Sequence, residues 1–577
     1  MKRGFEPAFI QWRFYLLVFL ILLVVAGLLA RVIDLTFFER QFLREQGNER
    51  TIRVMDVPAF RGMITDRHGY PLAISTTVYS IWVNPKEFVM NAGNIKPLSQ
   101  KLALTPKTIQ TLIQKYQKKG REFVYLKRDV IPDVAEKIKA LKIPGVYLRS
   151  GFKRYYPEGE VTAHVIGSTN IDDKGQEGME LAYNEWLSGI PGKELVVKDR
   201  MGRIISELQT IHRQKPGNDL RLSIDHRLQY LAYRELMEGV QKNLAESGSV
   251  IIVDVNTGEI LAMTNLPSYN PNGYDGHDTE SKRNRAVTDV YEPGSTIKAF
   301  SIAAALASGL YTPNTIIDTN PGWIRVGGHL LHDEHSKGPM TVTKIMQISS
   351  NVGVTKIILS LPNQHLYELL RGVGFGQVTG INFPGERAGV LIQRPTWKPL
   401  ALATLAFGYG LSVTTLQLAD AYAVIANDGV KKPMSLLPVK QAPAGDVVMD
   451  PKIAQEMVML LKAVVAKGGT GEQAQIPGYQ VAGKTGTSKK VGSTGGYEKH
   501  SYVSSFVGMA PASHPRLVVA VVINNPRGKA YLASDVTAPV FKNIMEGSLR
   551  ILNIAPDDTE SLSRAATDKG SRHDKVF

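Results

Sequence analysis

The chain has 577 residues, 43% hydrophobic and 21% charged, which is ordinary globular material long enough for two or more domains. It has no cysteine, which excludes disulfides, thiolate metal ligands and thiol catalysis and suits an oxidising compartment. The net charge of +15 comes without any nucleic-acid-binding motif, so it reads as a basic surface near anionic lipid or an acidic polymer.

Residues 14–30, FYLLVFLILLVVAGLLA, are uncharged and follow Lys2, Arg3 and Arg13. A bilayer span takes about 20 apolar residues. Val32 and Ile33 extend the run past Arg31, whose long side chain can snorkel. The basic flank puts residues 1–13 in the cytoplasm and everything after the span on the far side. No small-x-small site closes the run, so an uncleaved anchor over 14–33 is expected rather than a signal peptide. Residues 34–50 read as a helical stalk. Residues 51–215 alternate short β-like runs, such as RGMITDRHGYPLAIS and VYSIWVNP, with Gly and Pro punctuation, and 97–140 look helical and Lys-rich.

A turn at KPGND, from Lys215, marks a boundary, and a second module is expected over 216–555. RLQYLAYRELMEGVQKNLAES, from Arg227, has amphipathic helical spacing. SGSVIIVDVNTGEILAMTN, from Ser247, is two β-runs around Asn256-Thr257-Gly258, a hairpin signal. Helical stretches dominate until about residue 470, and GYQVAGKTGTS, SYVSSFVGMAP and RLVVAVVINNP return to strands. Strands at both ends with helices between predict one sheet closed by its two termini and covered by helices, an α/β (α+β) arrangement. Residues 556–577 have little to bury and read as a disordered tail.

The segment YEPGSTIKAF, 291–300, breaks helix rules. Ser295 stands where an apolar helix begins, and Lys298 stands where a capping box wants Glu or Gln. A cation in the first turn opposes the helix dipole. Lys298 is the only charge in STIKAFSIAAALASG, so the helix should be buried and the lysine pKa lowered. A lysine that can be neutral is a base, and three residues away it can reach the Ser295 hydroxyl, which makes an activated nucleophile. Gly294 would leave room for a substrate. The bland reading is a serine cap and a solvent-reaching lysine. S-x-x-K also recurs by chance: Ser150 and Lys153 match it, but with an internal Gly, a basic flank and no apolar helix.

Two further strings bear on this. ISSNVGV carries Ser349, Ser350 and Asn351, 54 residues after Ser295. GKTGTS carries Lys484, Thr485, Gly486 and Thr487, 189 residues after Ser295, in a predicted strand. Alone, the first is a common pattern, and the second could be a Gly-interrupted strand with surface side chains. A strand glycine often marks close approach of a ligand backbone.

In this order, S-x-x-K, S-x-N and K-T-G resemble the motif set of the penicillin-binding proteins and serine β-lactamases. RGMITDRHGYPLA from Arg61, RYYPEGEVTAHVIG from Arg154 and GQEGMELAYNEWLSG from Gly175 resemble the three boxes of the non-catalytic N-terminal module of class B penicillin-binding proteins. YEPGST resembles their cell-division type. The resemblance covers about residues 14–550.

It implies a serine transpeptidase, β-lactamase-like domain with an antiparallel sheet, an N-terminal β-rich pedestal and one transmembrane helix in the bacterial inner membrane, the catalytic domain being periplasmic. Ser295 would be the nucleophile, Lys298 its base, Ser349 and Lys484 the proton relay, and Asn351 a holder of a substrate amide. Thr485, Gly486 and Thr487 would bind the substrate carboxylate, and Tyr409 would form a wall. The implied substrates are peptidoglycan stem peptides ending in D-Ala-D-Ala, with β-lactams bound covalently at Ser295. The implied partners are division-complex proteins including a glycosyltransferase, with no nucleic acid, metal or cofactor.

Rivals are a D,D-carboxypeptidase, a membrane-tethered β-lactam-binding scaffold or sensor, and a class A β-lactamase. The last deacylates with a Glu that has an Asn four residues on. Glu368, Glu386, Glu456 and Glu472 are followed at that distance by Gly372, Val390, Leu460 and Ile476, so none fits.

Overall fold

The computed structural model describes residues 8–198, 204–273, 279–333, 338–492 and 495–558. Residues 1–7 of the expected cytoplasmic segment and 559–577 of the expected tail lie outside the described residues. The chain divides into two compact units: residues 1–60, 77–152 and 189–217 form one, and residues 61–76, 153–188 and 218–577 form the other. Sequence composition suggests a single boundary near 215, whereas the division by contact is interleaved.

In the first unit, helix Ala8–Ile33 begins the described chain. The stretch Trp12–Phe38 is long and apolar enough to cross a membrane. A π-helical turn, Asp34–Phe38, and helix Arg40–Thr51 follow. The chain passes directly into strand Ile52–Val57, which lies in an antiparallel sheet with Gly192–Lys198 and Ile204–His212. A separate small core gathers Ile81, Ile95, Leu98, Ile109 and Ile113. Helices Ala92–Leu102 and Pro106–Lys118 supply part of it, each capped at its start by a side chain, Asn91 and Thr105 respectively. The Lys-rich stretch 97–140 is not helical throughout: VYLKRDV is strand Val124–Val130, its apolar residues alternating inward.

The second unit is built on a five-stranded antiparallel sheet. Its order is Ile260–Leu266, Ser247–Asp254, Leu517–Asn524, Tyr497–Ala510 and Ala482–Val491. The first strands of the module thus pair with its last. Alternate residues of one strand face different cores: Ile251 and Val253 join one cluster, Val250 and Ile252 the other. Helices His226–Lys242 and Ala538–Ile551 cover one face; Lys298–Ala307, Thr415–Ala426 and Pro451–Val465 supply the core on the other. Ala482–Val491 is an edge strand, so one side of its backbone is unpaired within the sheet.

The three N-terminal boxes converge within this unit on a fully buried carboxylate. Glu180 accepts from Arg61 Nε at 2.5 Å and from Arg154 Nε at 2.6 Å. Arg61 also donates to the Glu180 carbonyl at 2.7 Å, to Asn184 Oδ1 at 3.0 Å and to Ser188 Oγ at 2.9 Å. Buried charge persists when it is paired and hydrogen-bonded. This cluster therefore holds residues 61, 154 and 180 in one place.

Candidate active site

Ser295 does not begin an α-helix. It lies in a 3₁₀ turn, Gly294–Ile297, that runs into helix Lys298–Ala307, and the Lys298 N–H donates to the Ser295 carbonyl. Side chains three apart eclipse in a 3₁₀ turn, which sets Lys298 over Ser295 more directly than an α-helix would. The helix is buried nearly throughout, as its composition predicts, and Lys298 is 1% exposed.

Two glycines have a different reason from the one expected. Gly294 has φ of +56°, and a Cβ there would stand 3.1 Å from the Thr487 carbonyl. The glycine makes room for the edge strand rather than for a substrate. A Cβ on Gly486 would stand 2.7 Å from the Pro293 carbonyl and 2.8 Å from Thr296 Cγ2. The serine turn and the K-T-G strand are pressed backbone to backbone.

Ser349 caps helix Val342–Ile348 in the left-handed conformation, with φ of +61°. That turn places its hydroxyl between the two lysines: Lys298 Nζ donates to Ser349 Oγ at 3.1 Å, and Lys484 Nζ donates to it at 3.0 Å. Lys298 also donates to the Ser349 carbonyl and, at 2.7 Å, to Asn351 Oδ1. Lys484 is fully buried and also donates to Thr485 Oγ1 at 3.3 Å. Burial, and then the Lys298 charge, hold the Lys484 pKa well below the usual lysine range. Thr487 Oγ1 accepts from the Ala533 N–H at 3.1 Å. Tyr409 is half-buried, with its ring edge-to-face on Phe407 and on Tyr497 at 5.8 Å each. Burial raises its phenol pKa. Tyr497 donates to Glu292 Oε2 at 3.0 Å, and Gly410 N–H donates to Glu292 Oε1 at 2.8 Å, which ties the rim to the serine segment.

Two residues were not read from the sequence. Asp333 sits at the start of helix Asn351–Leu359, where its carboxylate accepts from Ser350 Oγ at 2.5 Å, from Asn351 N–H, and from Val352 N–H at 3.0 Å. Thr470 Oγ1 accepts from the Thr485 hydroxyl at 2.9 Å. Neither belongs to a motif, and only chain folding brings them in. Among the described residues, one group of metal-ligand type, Asp66, Asp225 and His226, lies apart from these motifs. Its oxygens are engaged, Asp66 with His226 at 2.8 Å and Asp225 with Arg227 at 2.7 Å.

The site thus offers a hydroxyl at a buried turn, two amines sharing one hydroxyl, and an unpaired strand edge beside them. Such a set can run acyl transfer without other groups. Residues 248–546 match the family model of the penicillin-binding protein transpeptidase domain, and 56–222 match that of the penicillin-binding protein dimerisation domain. The chain is 46% identical over 563 residues to "Peptidoglycan D,D-transpeptidase FtsI" of Escherichia coli K12, covering 96% of this chain and 95% of that one. It is 42% identical to "Probable peptidoglycan D,D-transpeptidase PbpC" of Pseudomonas aeruginosa, covering 97% and 98%. Among solved structures, a peptidoglycan synthetase of Bifidobacterium adolescentis matches with a TM-score of 0.68 at 25% identity, over 88% of this chain and 98% of that one. Penicillin-binding protein 3 of Mycobacterium tuberculosis in complex with aztreonam matches with a TM-score of 0.68 at 27% identity, over 87% and 98%. The chain belongs to the penicillin-binding proteins, and among them to the class B, FtsI-type members.

Proposed function

We infer that this chain is a peptidoglycan D,D-transpeptidase that cross-links stem peptides of the septal wall through an acyl-enzyme on Ser295. The observation that carries the reading is the Ser349 hydroxyl held within 3.1 Å of both Lys484 Nζ and the Nζ of Lys298, the residue one turn after Ser295.

In the resting site Lys298 faces three oxygens, which suits an ammonium, while Lys484 is the amine pushed toward neutrality. A substrate carboxylate arriving beside Lys484, Thr485 and Thr487 favours a charged Lys484. One proton then passes from Lys298 to Ser349 Oγ as the Ser349 proton passes to Lys484, leaving Lys298 neutral. Lys298 takes the Ser295 proton as Ser295 Oγ bonds to the carbonyl carbon of the penultimate D-alanine. The Ser295 and Thr487 N–H groups receive the developing oxyanion, each donor contributing about 3 kcal/mol. Collapse breaks the peptide bond, and the terminal D-alanine leaves with a proton returned through Ser349. The amine of a second stem peptide attacks the ester and frees Ser295. Asn351 holds a substrate amide, Gly486 admits the serine turn and Tyr409 walls the cleft.

The reading extends to the whole chain: a cytoplasmic start, one membrane anchor, a pedestal with division-complex partners that include a glycosyltransferase, and a periplasmic catalytic domain over 216–555. The basic residues before the span support that orientation.

The test is intact mass of the full chain after incubation with a penicillin, beside Ser295→Ala and Lys298→Arg. Wild type should gain one drug mass that persists; Ser295→Ala should gain none; Lys298→Arg should acylate at least 100-fold more slowly, because arginine does not deprotonate. Drug hydrolysis with no trapped adduct would indicate a β-lactamase, and no reaction would indicate a scaffold.

A further inference from the structure

A cavity of ≈ 890 Å³ opens at one end of the five-stranded sheet. Ser295, Lys298, Ser349 and Lys484 do not line it. Its walls are the ends of three strands, at Gly248, Val522 and Val491, together with Val503 and the segment Thr288–Glu292. That size is typical of a small-molecule site.

Its lining carries five cations, Arg283, Arg285, Arg387, Lys489 and Lys490, against four carboxylates, Glu246, Glu280, Asp289 and Glu292. The Tyr291 hydroxyl, beside Thr415, and Arg285 Nε are buried with no hydrogen-bond partner at normal distance. Thr415 Oγ1 is engaged with Ser249 Oγ at 2.7 Å. The other nitrogens of Arg285 are taken, by Asp289 at 3.0 Å and by the Glu280 carbonyl at 3.1 Å. Arg283 pairs with Glu280 and Asp289, and Lys490 with Glu246 at 3.2 Å. Arg387 and Lys489 also line the cavity, and their side-chain cations have no ion pair among the described residues. Glu292 accepts from the Gly410 N–H and the Tyr497 hydroxyl, so every carboxylate here has hydrogen-bond partners, and Arg387 and Lys489 against Glu292 leave a surplus of one cation beside the spare donors. Buried donors without acceptors are rare in native structures and point to a missing partner. Apolar walls with a spare cation select an amphipathic anion.

We propose that this cavity binds a small amphipathic carboxylate, its hydrocarbon body against the valines and its acid group on Arg387. The cavity is a ligand site separate from the cleft where a stem-peptide carboxylate would sit.

The test is equilibrium dialysis of 14C-labelled 3-phenylpropanoate against the full chain in lipid nanodiscs, with empty nanodiscs as background. Saturable binding of one equivalent is expected. It should weaken at least tenfold in Arg387→Glu and, independently, in Val491→Trp, which fills the mouth from an exposed position. The neutral 3-phenylpropan-1-ol should bind at least tenfold more weakly. Lys484→Gln, which removes the amine expected to meet a carboxylate in the catalytic cleft, should bind as wild type does. Absence of saturable binding, equal binding of the alcohol, or insensitivity to both cavity variants would overturn the proposal. Loss of binding in Lys484→Gln would do so too, by placing the anion in the cleft.

Discussion

Asp333 holds the S-x-N segment from outside it. Its carboxylate receives a hydroxyl and two N–H groups at the start of helix Asn351–Leu359. Hydrogen bonds to a charged group contribute roughly 1.5–3 kcal/mol each, and the dipole adds to them. Asn351 Oδ1 in turn receives Lys298 Nζ at 2.7 Å, so Asp333 steadies the Lys298 amine two steps away. Asp333→Ala should slow penicillin acylation by roughly 10- to 100-fold while the far-ultraviolet dichroism stays native, since a 1 Å misplacement can cost about 10²-fold. Stopped-flow acylation at the wild-type rate would show that the helix start is held by other means. That Lys298, Ser349, Asn351 and Lys484 meet was legible because each lies in a motif of fixed spacing. Asp333 was not, because a lone Asp in a polar loop looks like any solvated carboxylate until the fold carries it to a helix end.

The serine turn and the K-T-G strand are locked together by absent side chains. Gly486→Ala would drive a methyl into the Pro293 carbonyl and Thr296. Both belong to the segment that aims Ser295, so something must shift, and backbone yields less readily than a side-chain tip. Acylation should fall at least tenfold in Gly486→Ala, read by fluorescent-penicillin labelling over time; an unchanged rate would mean the turn can retreat without losing its aim. The hairpin from Ser247 and the helix from Arg227 were readable because their periods are regular over many residues. The 3₁₀ start at Gly294 was not, since its cause is the approach of a strand 189 residues further on. Strand Val124–Val130 escaped notice for a related reason: seven residues with three charges look no different from the Lys-rich helices around them.

At the scale of the whole molecule, His164 sets an acid limit. It is 5% exposed, its ring faces the Ser281 carbonyl at 2.9 Å, and burial pushes its pKa down from 6.5 to about 4. A depressed folded pKa means that stability is fully present above the unfolded value of 6.5 and is lost as pH falls through the folded value near 4. The loss from this one group approaches about 3 kcal/mol. Melting temperature should therefore decline between pH 6.5 and 4 in wild type and decline less in His164→Gln; parallel slopes would show that other groups carry the acid response. The interleaving of the two units was invisible in the sequence, because residues 61–76 and 153–188 have the same β-like composition as the segments around them. Only the shared buried cluster around Glu180 and the apolar residues Leu72, Ile166 and Met179, which join the core of the five-stranded sheet, separate them.

That interleaving imposes an order on how the molecule is made. The chain passes between the units five times, at residues 60, 76, 152, 188 and 217. The sheet's second strand, complete by residue 254, finds its central partner only at residues 517–524. At synthesis rates of about 5–20 residues per second, more than ten seconds separate the two. Leu72, Ile166 and Met179 emerge earlier still and wait longer for their core. A nascent chain in this state carries apolar strands with open edges, so holdase protection during biogenesis follows from the topology alone.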